Sequence, residues 1–270
     1  MINFKYLFLF AMVFSVLIAC KKDEEEDNTT DTGVENVEKS TVSAKWEVEG
    51  NTDYETFEFN ESGTYVVVKN SPDKNPEEDI ILFGTYTIDG NLLILSDFGT
   101  IKVMTLTDDE MSFAIKLEGE TDYGDTLTAK KSEELPASTN TQLLCRTWKL
   151  VTLNGDSVAG TSNELLMVFY TSGTYVVTYI ENEQLGGLAE WKWFDSDENV
   201  ICYSWDGPPN CEDVAEIHVL NQNLLEVSDA QYYYVMVPVS TTAKSVTFNK
   251  SQMMQIFELN DGVNPFIYIP

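Results

Sequence analysis

The chain reads as an all-β protein built from two tandem small antiparallel β-barrels of about eight strands each, and three observations predict it. One sequence unit occurs twice. Within each unit, short runs of β-branched and aromatic residues alternate at period two. Turn clusters separate those runs, and neither unit contains a convincing amphipathic helix. The 270 residues carry 45 acidic and 16 basic side chains and one histidine, for a formal charge of -29. Such a charge excludes a nucleic-acid binder, which needs clustered Lys and Arg to neutralise phosphates. The 43% apolar content equally excludes a wholly disordered acidic chain.

The duplication is explicit. Phe59-Asn60-Glu61-Ser62-Gly63-Thr64-Tyr65-Val66-Val67 returns as Phe169-Tyr170-Thr171-Ser172-Gly173-Thr174-Tyr175-Val176-Val177. Lys45-Trp46-Glu47-Val48 matches Thr147-Trp148-Lys149-Leu150, and Gly84 to Ile88 answers Glu190 to Trp193, with Glu190 set against Gly84. Leu106 and the acidic turn after it answer Leu220 and Asn221-Gln222-Asn223. These landmarks place one unit at 41–135 and the other at 141–240. Leu135 to Asn140 is a short linker without periodicity. Phe57-Glu58-Phe59, Thr85 to Ile88 and Met111 to Ile115 alternate as strands, and Gly63, Gly90 and Gly173 sit where tight hairpins need them. An up-and-down meander that closes on itself removes exposed strand edges, so a small barrel is the expected form. Residues 241–270 keep Val246, Phe248, Ile256, Phe257, Phe266 and Tyr268, and are too apolar to hang free. This tail is expected to pack on the second barrel.

The N-terminal region is read separately from the fold. Lys5 precedes an apolar run from Tyr6 to Ala19, shorter than a bilayer-spanning helix requires, so residues 1–19 form a signal peptide. The run ends in Leu17-Ile18-Ala19-Cys20, which resembles the lipobox of bacterial lipoproteins. That resemblance implies cleavage before Cys20 and lipidation of its sulfur and amino group. Residues 20–40 form an acidic flexible tether. Its Asp23-Glu24-Glu25-Glu26-Asp27 run resembles the export signal of Bacteroidetes-type surface lipoproteins. The implied location is the outer membrane, lipid-anchored, with the cell surface favoured over the periplasmic face.

An early Trp, then Phe-x-x-x-Gly-Thr-Tyr across a hairpin, then a Gly-x-Tyr-x-Ile strand, resembles the lipocalin-like domains of bacterial lipoproteins. The resemblance spans both units and implies a barrel whose cavity could hold a small apolar molecule.

Catalytic constellations are absent from the sequence. His218 lies alone in an alternating strand and reads as a hydrogen-bonded or solvated side chain. No nucleophile elbow or phosphate loop occurs, and no enzyme activity or cofactor is expected. Asp195-Ser196-Asp197-Glu198-Asn199 has a calcium-loop rhythm. It lacks the Gly and Glu that such a loop needs at 200 and 206, so it reads as a polar turn, as does Asp108-Asp109-Glu110, and no metal is expected. Lipidation of Cys20 leaves Cys145, Cys202 and Cys211, which allow three different single bridges. Cys202–Cys211 is favoured, because both flank one turn-rich loop between two predicted strands.

The remaining functional candidates are aromatic. Trp191 and Trp193 share one strand face and are core if that face points inward, or a stacking platform if it points outward. Trp205 lies in the Asp-Gly-Pro-Pro loop and is the third ligand-binding candidate. Two functions follow from the sequence. One is capture of a small apolar or glycan ligand. The other is an interaction protein with filled barrels that docks an envelope protein.

Overall fold

The computed structural model describes residues 34–50, 52–73, 79–180, 186–240, 245–249 and 265–267. The expected signal peptide, Cys20 and most of the expected tether lie outside the described residues. No helix among the described residues is long and apolar enough to cross a membrane.

The first barrel is a closed eight-stranded meander. It runs through β1 (Lys45–Val48), β2 (Tyr54–Phe59), β3 (Thr64–Lys69), β4 (Ile80–Asp89), β5 (Leu92–Leu95), β6 (Gly99–Leu106), β7 (Glu110–Leu117) and β8 (Thr126–Lys131). Pairing of β1 with β8 and of β4 with β5 completes the ring. The second barrel repeats the plan with β9 (Thr147–Leu153), β11 (Leu165–Phe169), β12 (Thr174–Tyr179), β13 (Gly186–Trp193), β14 (Val200–Ser204), β15 (Val214–Leu220), β16 (Leu225–Ser228) and β17 (Tyr233–Pro238). It closes through β17 on β9, and the two-residue β10 (Asp156–Ser157) folds back on the end of β9.

Each barrel opens with a short helix that the strand pattern did not reveal. These are α1 (Lys39–Val42) and α2 (Thr139–Leu144). Both perform one task. Trp46 donates its indole N–H to Val42 O at 2.9 Å, and Trp148 donates to Leu144 O at 2.9 Å, so each helix end is tied to a fully buried tryptophan. Ser138 caps α2 by accepting the Thr141 amide at 3.0 Å. Residues 34–40 and 135–140 are therefore part of the body, where the sequence suggested a tether and a linker. Val37 is buried and its amide bonds to Gly90 O, and the Leu135 amide bonds to Thr171 O. The isolated apolar residues Val34, Val37 and Leu135 anchor these segments without any periodic signal.

Strand register corrects the repeat alignment. Tyr65 pairs with Gly84 and Tyr175 pairs with Ala189, so Gly84 corresponds to Ala189, Thr85 to Glu190 and Tyr86 to Trp191. The hydrogen bonds agree. Tyr86 donates to Asn60 O and Trp191 to Tyr170 O, which are equivalent hairpin carbonyls. Gly63 and Gly173 hold φ of +91° and +84°, left-handed values that any side chain would strain.

The tail also departs from expectation. β18 (Val246–Asn249) pairs with β4 of the first barrel, using the half of that long strand that β5 leaves free. Pro265–Ile267 lies in the second barrel instead, with Phe266 and Ile267 fully buried. The tail thus contributes to both barrels.

Candidate functional site

The geometry begins with what fills the barrels. In the first, Trp46, Phe57, Phe59, Tyr65, Leu93, Ile101, Phe113 and their neighbours form one buried cluster. In the second, Trp148, Phe169, Tyr175, Trp191, Tyr203, Tyr234 and Phe266 do the same. An eight-stranded barrel is just wide enough to be filled by side chains, and these clusters are the side chains that the two barrels bury.

Open space lies between the barrels. Strands β3 and β12 are buried on both faces along Thr64–Val67 and Thr174–Tyr179, because their inner faces meet a lumen and their outer faces meet the other barrel. Outward-facing Val66, Ile81 and Phe83 of the first barrel belong to the same apolar cluster as Val176 of the second. The two repeat hairpins reach across to each other at equivalent positions. Asn60 donates its side-chain amide to Phe169 O at 3.0 Å, and the Tyr170 hydroxyl donates to Thr64 Oγ1 at 3.0 Å. This reciprocity gives the seam an approximate two-fold character. The signal existed in the sequence: Val66-Val67-Val68 and Val176-Val177 are continuous apolar runs where a half-exposed strand would alternate.

At the rim of this seam a cleft of about 470 Å³ opens between α1, the β2–β3 hairpin, the end of β8, α2 and the β11–β12 hairpin. Ser40, Ser43, Asn60, Gln142 and Thr171 supply polar groups, Glu58, Glu61 and Glu134 supply carboxylates, and Lys131 supplies a cation. Lys131 pairs with Glu134 at 3.1 Å, and the Thr171 hydroxyl bonds the other Glu134 oxygen at 3.3 Å. Glu58 is buried to 2% exposure at the cleft floor and accepts a hydrogen bond from the Ser172 hydroxyl. Burial pushes its carboxyl up from 4.5 to about 6, against the pull of Lys45 and of the Ser172 and Thr174 hydroxyls. Cys145, the free thiol, also lines the cleft, and burial raises its pKa well beyond the ordinary range. It is held as a thiol, not as the reactive thiolate.

The residues singled out from the sequence take definite places. Trp191 is buried, with its indole edge against Trp193 at 5.3 Å. Trp193 is half-buried and donates to Thr141 Oγ1 at 2.9 Å. Their shared face points inward, so neither offers a free stacking platform. Trp205 is not an exposed loop residue. Its ring turns into the lumen over Gly187, where an added Cβ would come within 2.3 Å of it, and its indole N–H donates to Pro265 O at 2.9 Å. Cys202 and Cys211 form a disulfide across the loop between β14 and β15, with Cα atoms 4.7 Å apart.

His218 bonds Ser228 Oγ at 2.8 Å and stacks on Tyr233. The Asp195 turn is closed by its own Asp197 amide, and Asn140 of α2 donates to the Glu198 carbonyl. Among the described residues, no group of three or more His, Cys, Asp or Glu is placed to hold a metal. Compared with known proteins, the chain matches no family model and no curated protein.

Proposed function

We propose that this chain is a non-enzymatic, lipid-anchored envelope lipoprotein of the Bacteroidetes type, displayed on the cell surface, that binds a polyhydroxylated ligand of the glycan class at the seam between its barrels. One observation carries the ligand reading. Both lumens are packed with side chains, whereas the roomy concavity at the seam is lined by hydroxyls, amides and carboxylates. Its volume falls within the range of small-ligand sites. Mixed donors and acceptors beside the apolar surface of Ala44, Phe59 and Tyr170 suit the hydroxyls and ring faces of a sugar better than a fatty acid. The small apolar ligand that a lipocalin-like barrel implies would have to displace the buried side chains that occupy the lumens.

The anchor rests on the Leu17-Ile18-Ala19-Cys20 motif and the acidic run after it. A second reading is favoured by the same filled barrels. A rigid two-barrel body with no ligand would serve as a docking surface for another envelope protein.

The test is a thermal-shift and calorimetric series on the chain from Lys21 onward, with chitotetraose, cellotetraose, xylotetraose and oleate as probes. A ligand present at a hundred times its Kd stabilises the fold by about 2.7 kcal/mol. A saturable shift with a saccharide, weakened at least tenfold in an E61A/Q142A variant, supports the seam site. A shift with oleate alone contradicts it. Silence across the panel favours the docking protein.

A further inference from the structure

The second barrel contains a binding arrangement that the seam reading does not use. Three barrel side chains address the main chain of Pro265–Phe266 and not only its side chains. The Asp229 carboxylate accepts the Phe266 amide at 2.8 Å, the Tyr175 hydroxyl donates to Phe266 O at 3.1 Å, and the Trp205 indole donates to Pro265 O at 2.9 Å. The Tyr234 hydroxyl fixes the same Asp229 oxygen at 2.7 Å. Around this polar frame the Phe266 ring sits among Phe169, Tyr175, Tyr203 and Tyr234, with centroids 5.2 to 6.1 Å away.

Comparison between the repeats shows that this seat is not a fixed part of the barrel. In the first barrel, Phe98 from the β5–β6 turn packs within 6.4 Å of Tyr65, the counterpart of Tyr175. The second barrel's corresponding loop is pinned by the Cys202–Cys211 bridge and contributes Trp205, and the remaining space is filled from the tail. The groups named above belong to β11, β12, β14, β17 or the adjoining turns. The occupant reaches them from a part of the chain beyond the barrel's last strand.

We propose that the lumen of the second barrel is a peptide-binding site that reads a proline–aromatic–aliphatic segment through its main chain, and that Pro265–Ile267 is its resident occupant. Phe266 fills the aromatic seat, Asp229 and Tyr175 hold the N–H and C=O of the bent main chain, and Trp205 reads the preceding carbonyl. A segment of the same chemistry from another protein would compete for the seat.

The experiment uses the full chain with a protease recognition sequence inserted after Asp261, cut after folding so that the tail becomes a separate peptide. The cut fragment is expected to co-elute with the body in gel filtration. An excess of acetyl-Asn-Pro-Phe-Ile-Tyr-amide should displace it, with a saturable change in tryptophan fluorescence as Trp205 is exposed and reoccupied. The same peptide with Ala for Phe should be at least tenfold weaker, as should the Phe peptide against a W205F body. Equal displacement by the Phe and Ala peptides would overturn the proposal. So would a fragment that separates at once on cutting and leaves the fluorescence unchanged. Because the probe peptides carry the substitution, the outcome does not depend on a tail variant being able to fold.

Discussion

Glu58 is the residue where the seam's electrostatics concentrate. It sits in β2 facing outward, yet the second barrel covers it, so the carboxylate loses water and retains Ser172 and Thr174 as partners. Its pKa is raised in the folded state, from 4.5 to about 6. The folded protein therefore binds a proton more readily than the unfolded chain between those values. The contribution of this group to stability is fully present below pH 4.5 and is lost as pH rises through about 6. At neutral pH the buried charge costs about 2 kcal/mol. E58Q keeps the hydrogen-bond acceptor and removes the charge. It should raise stability by about that amount at pH 7 and change little at pH 4. Urea unfolding of both forms at the two pH values checks this, and an equal effect at both would refute the assignment.

At the scale of elements, strands were far more legible than helices or loops. Phe57-Glu58-Phe59 and Met111 to Ile115 announce themselves by alternation, because one face fills the lumen with large apolar side chains while the other carries polar or small ones. The glycines of the β2–β3 and β11–β12 hairpins mark the turns. The helices α1 and α2 span four and six residues, too few for a helical period to register, and their purpose is visible only when Trp46 and Trp148 donate to their last carbonyls. The Cys202–Cys211 pairing was legible because both cysteines bracket one loop. The inward turn of Trp205 was not, because it depends on the missing side chain at Gly187 and on a tail sixty residues away.

The bridge closes a short loop, for which chain entropy gives about 2.5 kcal/mol. Replacing both cysteines with Ala should lower stability by about that much. Reductant should then cease to affect the melting temperature, since Cys145 is half-buried and unbridged. A reductant effect that survives in the double variant would contradict the pairing.

On the scale of the whole molecule, duplication created a surface that neither unit has alone. The same hairpin of each repeat faces the other, so one apolar stripe, Val66 with Val176, is covered by its own copy. The rim left over becomes the cleft. The fold class and the doubling could be read from the sequence, because they follow from local patterns and their repetition. The seam could not be located, because two valine runs state only that both faces are covered and not what covers them. The binding candidates drawn from the sequence were tryptophans, chosen by residue type. All three have internal hydrogen-bond partners, and the groups that face open space are common polar residues with no distinguishing motif.

The central claim is that the saccharide is recognised at the seam, while the second lumen holds its own Pro265–Ile267 segment. Amide chemical-shift mapping of the chain from Lys21 onward tests it most directly, during titration with chitotetraose, cellotetraose, xylotetraose and oleate in turn. The account predicts saturable shifts with a saccharide, confined to the amides of Ser40, Ser43, Glu61, Gln142 and Thr171 and their neighbours, with the lumen residues unmoved. Shifts that instead cluster on Phe57, Ile101 and Phe113, or on Trp148 and Val227, with oleate as the effective probe, would place the ligand inside a barrel and contradict it.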